Sequence, residues 1–138
     1  VCVDDATRVA YAEVLPDERA TTATSFVQRA IAWFRERDVL VERVMTDNGS
    51  CYRSHRFNPA PSDQGLRHIY TRPYRPQTNG KAERFIRTAK NRWAYERAYK
   101  NSAVRTLMLP AFLNRYNTRR PHRGIGNVTP LSRLEALL

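Results

Sequence analysis

Two carboxylates, Asp47 and Glu83, stand with 35 residues between them. Asp47 follows a short apolar run and precedes a turn, in Met45-Thr46-Asp47-Asn48-Gly49-Ser50. Glu83 opens a helical segment, in Pro76-Gln77-Thr78-Asn79-Gly80-Lys81-Ala82-Glu83-Arg84. An acid at a strand end and an acid on the first turn of a helix can converge without strain. A hard cation such as Mg²⁺ takes oxygen ligands and keeps waters that it shares with phosphate. Two such ions activate an attacking oxygen and stabilise a leaving one. The chemistry these acids suit is therefore phosphoryl transfer on nucleic acid. A lone Asp here would be an Asx-turn residue, and a lone Glu a favourable charge at a helix start. The flanking residues tip the reading toward metal binding.

The neighbours of Glu83 are basic. Arg87 and Lys90 follow it at i+4 and i+7, so they share its helix face and are placed to hold a DNA phosphate beside the metals. Lys81, Arg84, Arg75 and Asn79 flank the same segment as further DNA-binding candidates. A second basic and aromatic cluster runs Tyr116-Asn117-Thr118-Arg119-Arg120-Pro121-His122. Its Arg120 and His122 either touch DNA or cap the domain by packing.

Charge supports a polyanionic partner. The net charge is +11, and it is skewed along the chain. Residues 1–66 carry eight Arg and no Lys against ten acids, whereas residues 67–123 carry fifteen Lys and Arg against Glu83 and Glu96 alone. Such a basic half favours nucleic acid through counterion release. The two cysteines, Cys2 and Cys51, form no CxxC or metal-ligand spacing and suggest a reducing compartment. His55, His68 and His122 show no zinc spacing. No apolar run is long enough to span a membrane and no signal peptide is visible, so the expected location is the cytosol.

These residues need a scaffold of strands and helices. At 138 residues the chain is one domain or most of one, a core over about 1–105 followed by a helical extension and tail over about 106–138. Residues 1–3 and 9–15 read as a hairpin-like strand pair around the turn formers Asp4 and Asp5. Phe26, Val27, Ala30, Ile31 and Phe34 form one apolar stripe, which predicts a helix over 21–37 capped by Asp17, Thr21 or Thr22. Strands are expected at 39–45 and 67–71, with a loop and one helical turn over 50–66. Prolines make 73–80 irregular. A long helix is predicted from Asn79, its N-cap, to near Lys100, burying Phe85, Ile86, Ala89 and Trp93. Another covers 104–116, kinked or divided by Pro110, and a short one lies at 131–138. The alternation of strands and helices argues for a mixed α/β layer fold.

In their order these segments resemble the catalytic core of DDE transposases and retroviral-type integrases, with bacterial insertion-sequence transposases the nearest likeness. Carrying the resemblance are Val3-Asp4-Asp5-Ala6-Thr7-Arg8, Thr46-Asp47-Asn48-Gly49-Ser50, Arg72 through Arg84, and Tyr116-Asn117 through Arg120-Pro121-His122. The resemblance implies an RNase H-like fold, a mixed five-stranded sheet with helices on both faces. It implies a Mg²⁺- or Mn²⁺-dependent polynucleotidyl transferase in which water cuts DNA at an element end and the freed 3′-hydroxyl attacks target DNA. It implies a homo-oligomer assembled on DNA. Asp47 matches the second catalytic acid of that family and Glu83 the third. The first acid and its strand have no counterpart, because the Asp-Asp-Ala-Thr-Arg turn falls at residues 4–8. The chain is thus expected to be N-terminally truncated and inactive alone. The alternative is a non-catalytic remnant that binds DNA or an intact transposase.

Overall fold

The computed structural model describes residues 1–59, 65–75 and 79–138. Pro76-Gln77-Thr78 of the Glu83 segment, and residues 60–64 of the expected 50–66 loop, lie outside the described residues. In chain order the elements are β1 (Cys2–Val3), β2 (Ala10–Tyr11), α1 (Ala20–Arg35), β3 (Arg43–Thr46), α2 (Ser50–Arg53), β4 (Arg67–Tyr70), α3 (Gly80–Ala89), a π turn (Lys90–Ala94), α4 (Ser102–Leu107), α5 (Leu109–Arg119), a 3₁₀ turn (Arg123–Ile125) and α6 (Pro130–Glu135). They fall into two compact units: Val1–Val14 with Lys81–Leu138, and Leu15–Gly80.

In the first unit β1 and β2 pair antiparallel, Cys2 opposite Tyr11 and Val3 opposite Ala10. The turn between them is closed by Asp4. Its carboxylate accepts from the Thr7 amide at 2.9 Å and the Thr7 hydroxyl at 2.6 Å. Arg8 ends the turn with φ 67°, a left-handed backbone that L side chains rarely adopt. The hydrophobic core joins Ala10, Phe85, Ala89, Leu109, Phe112 and Tyr116. Phe85 is its centre, 1% exposed and edge-on to Tyr116 with ring centroids 4.9 Å apart.

The long helix expected over 79–100 is shorter. Regular helix stops at Ala89, a π turn covers Lys90–Ala94, and Tyr95 leaves helical geometry. Phe85, Ala89 and Trp93 recur every four residues, more than the 3.6 of an α-helix, so a straight helix would rotate Trp93 off the core. Wider winding absorbs that mismatch. Trp93 stacks on Phe112 at 6.4 Å, and its Nε1–H donates to the Arg105 carbonyl at 2.8 Å. The segment expected at 104–116 is two helices that divide at Met108, with Pro110 in the first turn of α5, where its missing N–H costs nothing. Asn101 caps α4 by accepting from the Val104 amide at 2.9 Å. Thr129 caps α6, which begins at Pro130.

In the second unit α1 buries Ala23, Phe26, Val27, Ala30, Ile31 and Phe34, the stripe read from periodicity. Its N-cap is Arg19, and no side chain caps it. Asp17 instead accepts from the Arg19 amide at 2.9 Å, one step before the helix. β3 and β4 pair parallel, from Arg43 opposite Arg67 to Thr46 opposite Tyr70. Where the resemblance implies five strands, the described residues carry four, in two separate ladders.

Candidate functional site

Asp47 stands directly after β3, at the carboxyl end of a parallel ladder, where open α/β sheets present ligand-binding groups. The side chain is exposed, and its Oδ1 accepts the Gly49 amide at 2.8 Å. A Cβ on Gly49 would lie 2.9 Å from that same oxygen, so a larger residue there would make the carboxylate shift. The base of the loop is fixed around it. Asn48 Nδ2 donates to the Thr71 carbonyl at 3.0 Å, and Arg53 donates to Asn48 Oδ1 at 2.5 Å. Beneath, Thr46 is buried and its Oγ1 lies 2.8 Å from His68 Nε2, with Phe57 against the His68 ring at 5.0 Å.

Glu83 lies in the first turn of α3, exposed, where the helix dipole favours a carboxylate. Among the described residues it takes no hydrogen bond or ion pair. Lys81, Arg84 and Arg87 are exposed on the same helix, and Lys90 is exposed at the start of the π turn. Lys81 is tied to Asp5, through both its carboxylate and its carbonyl. Arg75 is exposed in the second unit, and Asn79 is half-buried just before α3.

The sequence candidates therefore divide. Asp47, Arg75 and Asn79 belong to the second unit; Lys81, Glu83, Arg84, Arg87, Lys90, Arg120 and His122 belong to the first. Among the described residues, no three of His, Cys, Asp and Glu gather into a metal-binding cluster. As donors, both Asp47 and Glu83 fit a hard divalent cation: each is an exposed carboxylate whose oxygens are not consumed by an ion pair among the described residues. Asp4 and Asp5 serve the β1–β2 turn and the Lys81 contact. Burial pushes the Cys2 thiol up to about 11, which makes it a reluctant nucleophile.

One residue escaped the sequence reading. Arg8, read only as part of a turn, places its charge with those of Arg84 and Arg120 around His122. The left-handed backbone required at Arg8 is written in no local pattern. The sole signal was a third arginine in a segment already linked by resemblance to the other motifs.

His68 and His122 both titrate below the ordinary value of 6.5. Burial is the first cause for each, and the Arg120, Arg8 and Arg84 charges add to it for His122. The unfolded chain therefore binds these protons at higher pH than the folded chain. Their contribution to stability is complete above about pH 6.5 and is lost as pH falls through that value toward the depressed folded pKa values. Urea midpoints are expected to drop between about pH 7.5 and about pH 5.5. His68→Gln should flatten that dependence, and a midpoint insensitive to pH in this window would contradict the assignment.

Comparison with known proteins identifies the family. Integrase core domain families match residues 1–76 and 64–130. The ORF3 protein of Spiroplasma virus SpV1-C74 is 28% identical over 148 residues, covering 98% of this chain and 41% of that protein. Transposase InsD for insertion element IS2A/D/F/H/I/K of Escherichia coli is 30% identical over 86 residues, 62% of this chain and 29% of the relative. The chain thus spans less than half the length of these curated relatives. The crystal structure of the catalytic core domain of BIV integrase superposes with a TM-score of 0.67 at 26% identity, over 98% of this chain and 84% of that one. The fold is accordingly the α/β, RNase H-like fold of an integrase catalytic core, and the chain belongs to the integrase core domain family.

Proposed function

We propose that this chain is the catalytic-core portion of a transposase that cuts and joins DNA by metal-dependent phosphoryl transfer. The observation that carries this reading is the pair of exposed carboxylates in an integrase core chain: Asp47 at the end of a parallel strand, and Glu83 on the first turn of a basic helix. Asp47 and Glu83 are the residues that would offer oxygens to Mg²⁺ or Mn²⁺. When bound, such ions generate a nucleophilic oxygen and offset charge on the leaving one. Gly49 holds the Asp47 carboxylate by its amide, and Glu83 lies in the first turn of α3, where the helix dipole favours negative charge. Lys81, Arg84, Arg87 and Lys90 bind and orient the phosphate backbone, with Arg75, Asn79, Arg120 and His122 as further contacts. The partners are element-end and target DNA and further copies of the chain. No helix among the described residues is long and apolar enough to cross a membrane, and the site of action is the bacterial cytosol.

Metal binding is testable without turnover. Mn²⁺ is expected to broaden the amide resonances of residues 46–49 and 80–87 selectively, and Asp47→Asn should abolish the effect at 46–49. Uniform or absent broadening, with salt-sensitive DNA binding intact, would point to a chain that binds DNA without catalysing its rearrangement.

A further inference from the structure

His122 carries an unusual group. Its Nε2 is buried and has no hydrogen-bond partner among the described residues. Buried polar atoms are nearly always paired, and one that is not asks for an explanation such as a bound ion. The ring is not loosely placed. It stands edge-on to the Tyr116 ring at 4.9 Å, and its backbone bridges Val128, with the His122 amide donating to the Val128 carbonyl at 2.9 Å. The Asn127 amide returns to the His122 carbonyl at 2.9 Å, closing the loop through Gly126 and Asn127, both at positive φ.

Three guanidinium groups from three parts of the first unit bear on this ring. Arg8 comes from the β1–β2 turn, Arg84 from α3 and Arg120 from the end of α5. Arg8 is held there by a left-handed backbone and by donation to the Asp5 carbonyl, and its Nη2 passes 3.6 Å from where a Cβ on Gly124 would stand. Backbone strain of this kind collects at binding sites. Among the described residues, no carboxylate is among the charges that act on the His122 ring; besides the arginines, it faces the Tyr116 phenol. Three like charges acting on a ring with an orphan nitrogen make an arrangement that an anion would stabilise.

We propose that Arg8, Arg84, Arg120 and His122 form a receptor for one DNA backbone phosphate, in which His122 donates from Nε2 while the guanidinium groups supply the charge. The proposal rests on DNA as the partner and deepens that reading by fixing one phosphate at a named atom. Arg84 and Arg120 are exposed and can fold outward to admit a phosphate and close on it. His122 takes a proton from solvent as the anion arrives, because the phosphate charge counters the burial and the arginine repulsion that disfavour the proton. Planar guanidinium forks pair bidentately with the oxygens of a phosphate.

The experiment follows the His122 ring by ¹⁵N NMR during titration with inorganic phosphate, with chloride at matched ionic strength as the control, and then with duplex DNA. The ring resonance is expected to move toward the imidazolium position with both phosphate and DNA, and not with chloride. Arg84→Gln, an exposed substitution that should leave folding intact, is expected to abolish the phosphate response. It should also lower the slope of log affinity for DNA against log salt by about one. A response to phosphate but none to DNA that is demonstrably bound would overturn the DNA assignment and leave a small-anion site. A ring that ignores both overturns the receptor. If the unmodified chain binds no DNA at all, the proposed function fails, and the phosphate arm still decides whether the pocket exists.

Discussion

Asp47→Asn and Glu83→Gln, each made in the complete gene product, are expected to lower DNA cleavage and strand transfer by about a thousandfold or more. A metal that offsets charge in the transition state contributes several kcal/mol, and each 1.36 kcal/mol is tenfold in rate. Both substitutions keep size and hydrogen-bonding reach while removing the negative charge that a hard cation requires. Both sites are exposed, so neither change should affect folding. DNA affinity in the absence of metal should be unchanged, or slightly stronger as repulsion with phosphate falls. The comparison that decides is Glu83→Gln against Arg87→Gln. Loss of Glu83 should remove catalysis with binding intact. Loss of Arg87 should weaken binding and reduce its salt dependence by about one unit of slope. If Glu83→Gln retained activity within tenfold, its assignment as a metal ligand would be wrong.

What could be read in the sequence was what rests on local periodicity and turn chemistry. The stripe from Phe26 to Phe34 located α1, and the Asp4–Arg8 turn between two apolar stretches located β1 and β2. Asn48-Gly49 marked the end of β3 because both residues are turn formers. The parallel pairing of β3 with β4 was not readable, since a register such as Thr46 opposite Tyr70 depends on contacts across the chain rather than on neighbours. The end of α3 was misjudged for a related reason. A four-residue recurrence looks helical, and only the position of Phe112 decides whether the helix must widen to bring Trp93 to it. The acids Asp47 and Glu83 stood out as candidates because their flanks are distinctive. The grouping of Arg8 with His122 was not, because more than a hundred residues separate them.

The same separation hides the residue whose loss should most damage the fold. Asn117 is buried in α5, 5% exposed, and its carboxamide meets the backbone of Ala10, itself 1% exposed. Oδ1 accepts the Ala10 amide at 2.9 Å, and Nδ2 donates to the Ala10 carbonyl at 2.9 Å. The side chain thus replaces a neighbouring strand: it offers β2 one acceptor and one donor, as a peptide group would. Asn117→Ala leaves both Ala10 groups buried and unpaired. At about 1–3 kcal/mol for each orphaned group, the loss should be about 2–6 kcal/mol. Set against a typical domain stability of about 5–15 kcal/mol, that is enough to leave a substantial unfolded fraction at moderate temperature. Asn117→Asp is the sharper test. It has the same shape and keeps the acceptor, but it sets a second carboxylate oxygen against the Ala10 carbonyl. It should therefore be about as damaging near neutral pH, and less so in acid, where a protonated carboxyl regains a donor. Thr118→Ala, one residue away and exposed, should change stability by no more than about 0.5 kcal/mol. Urea denaturation of the three variants separates a structural from a DNA-contacting role. If Asn117→Asp folds as stably as the parent and loses only DNA affinity, the carboxamide is a ligand for nucleic acid and not the clamp on β2.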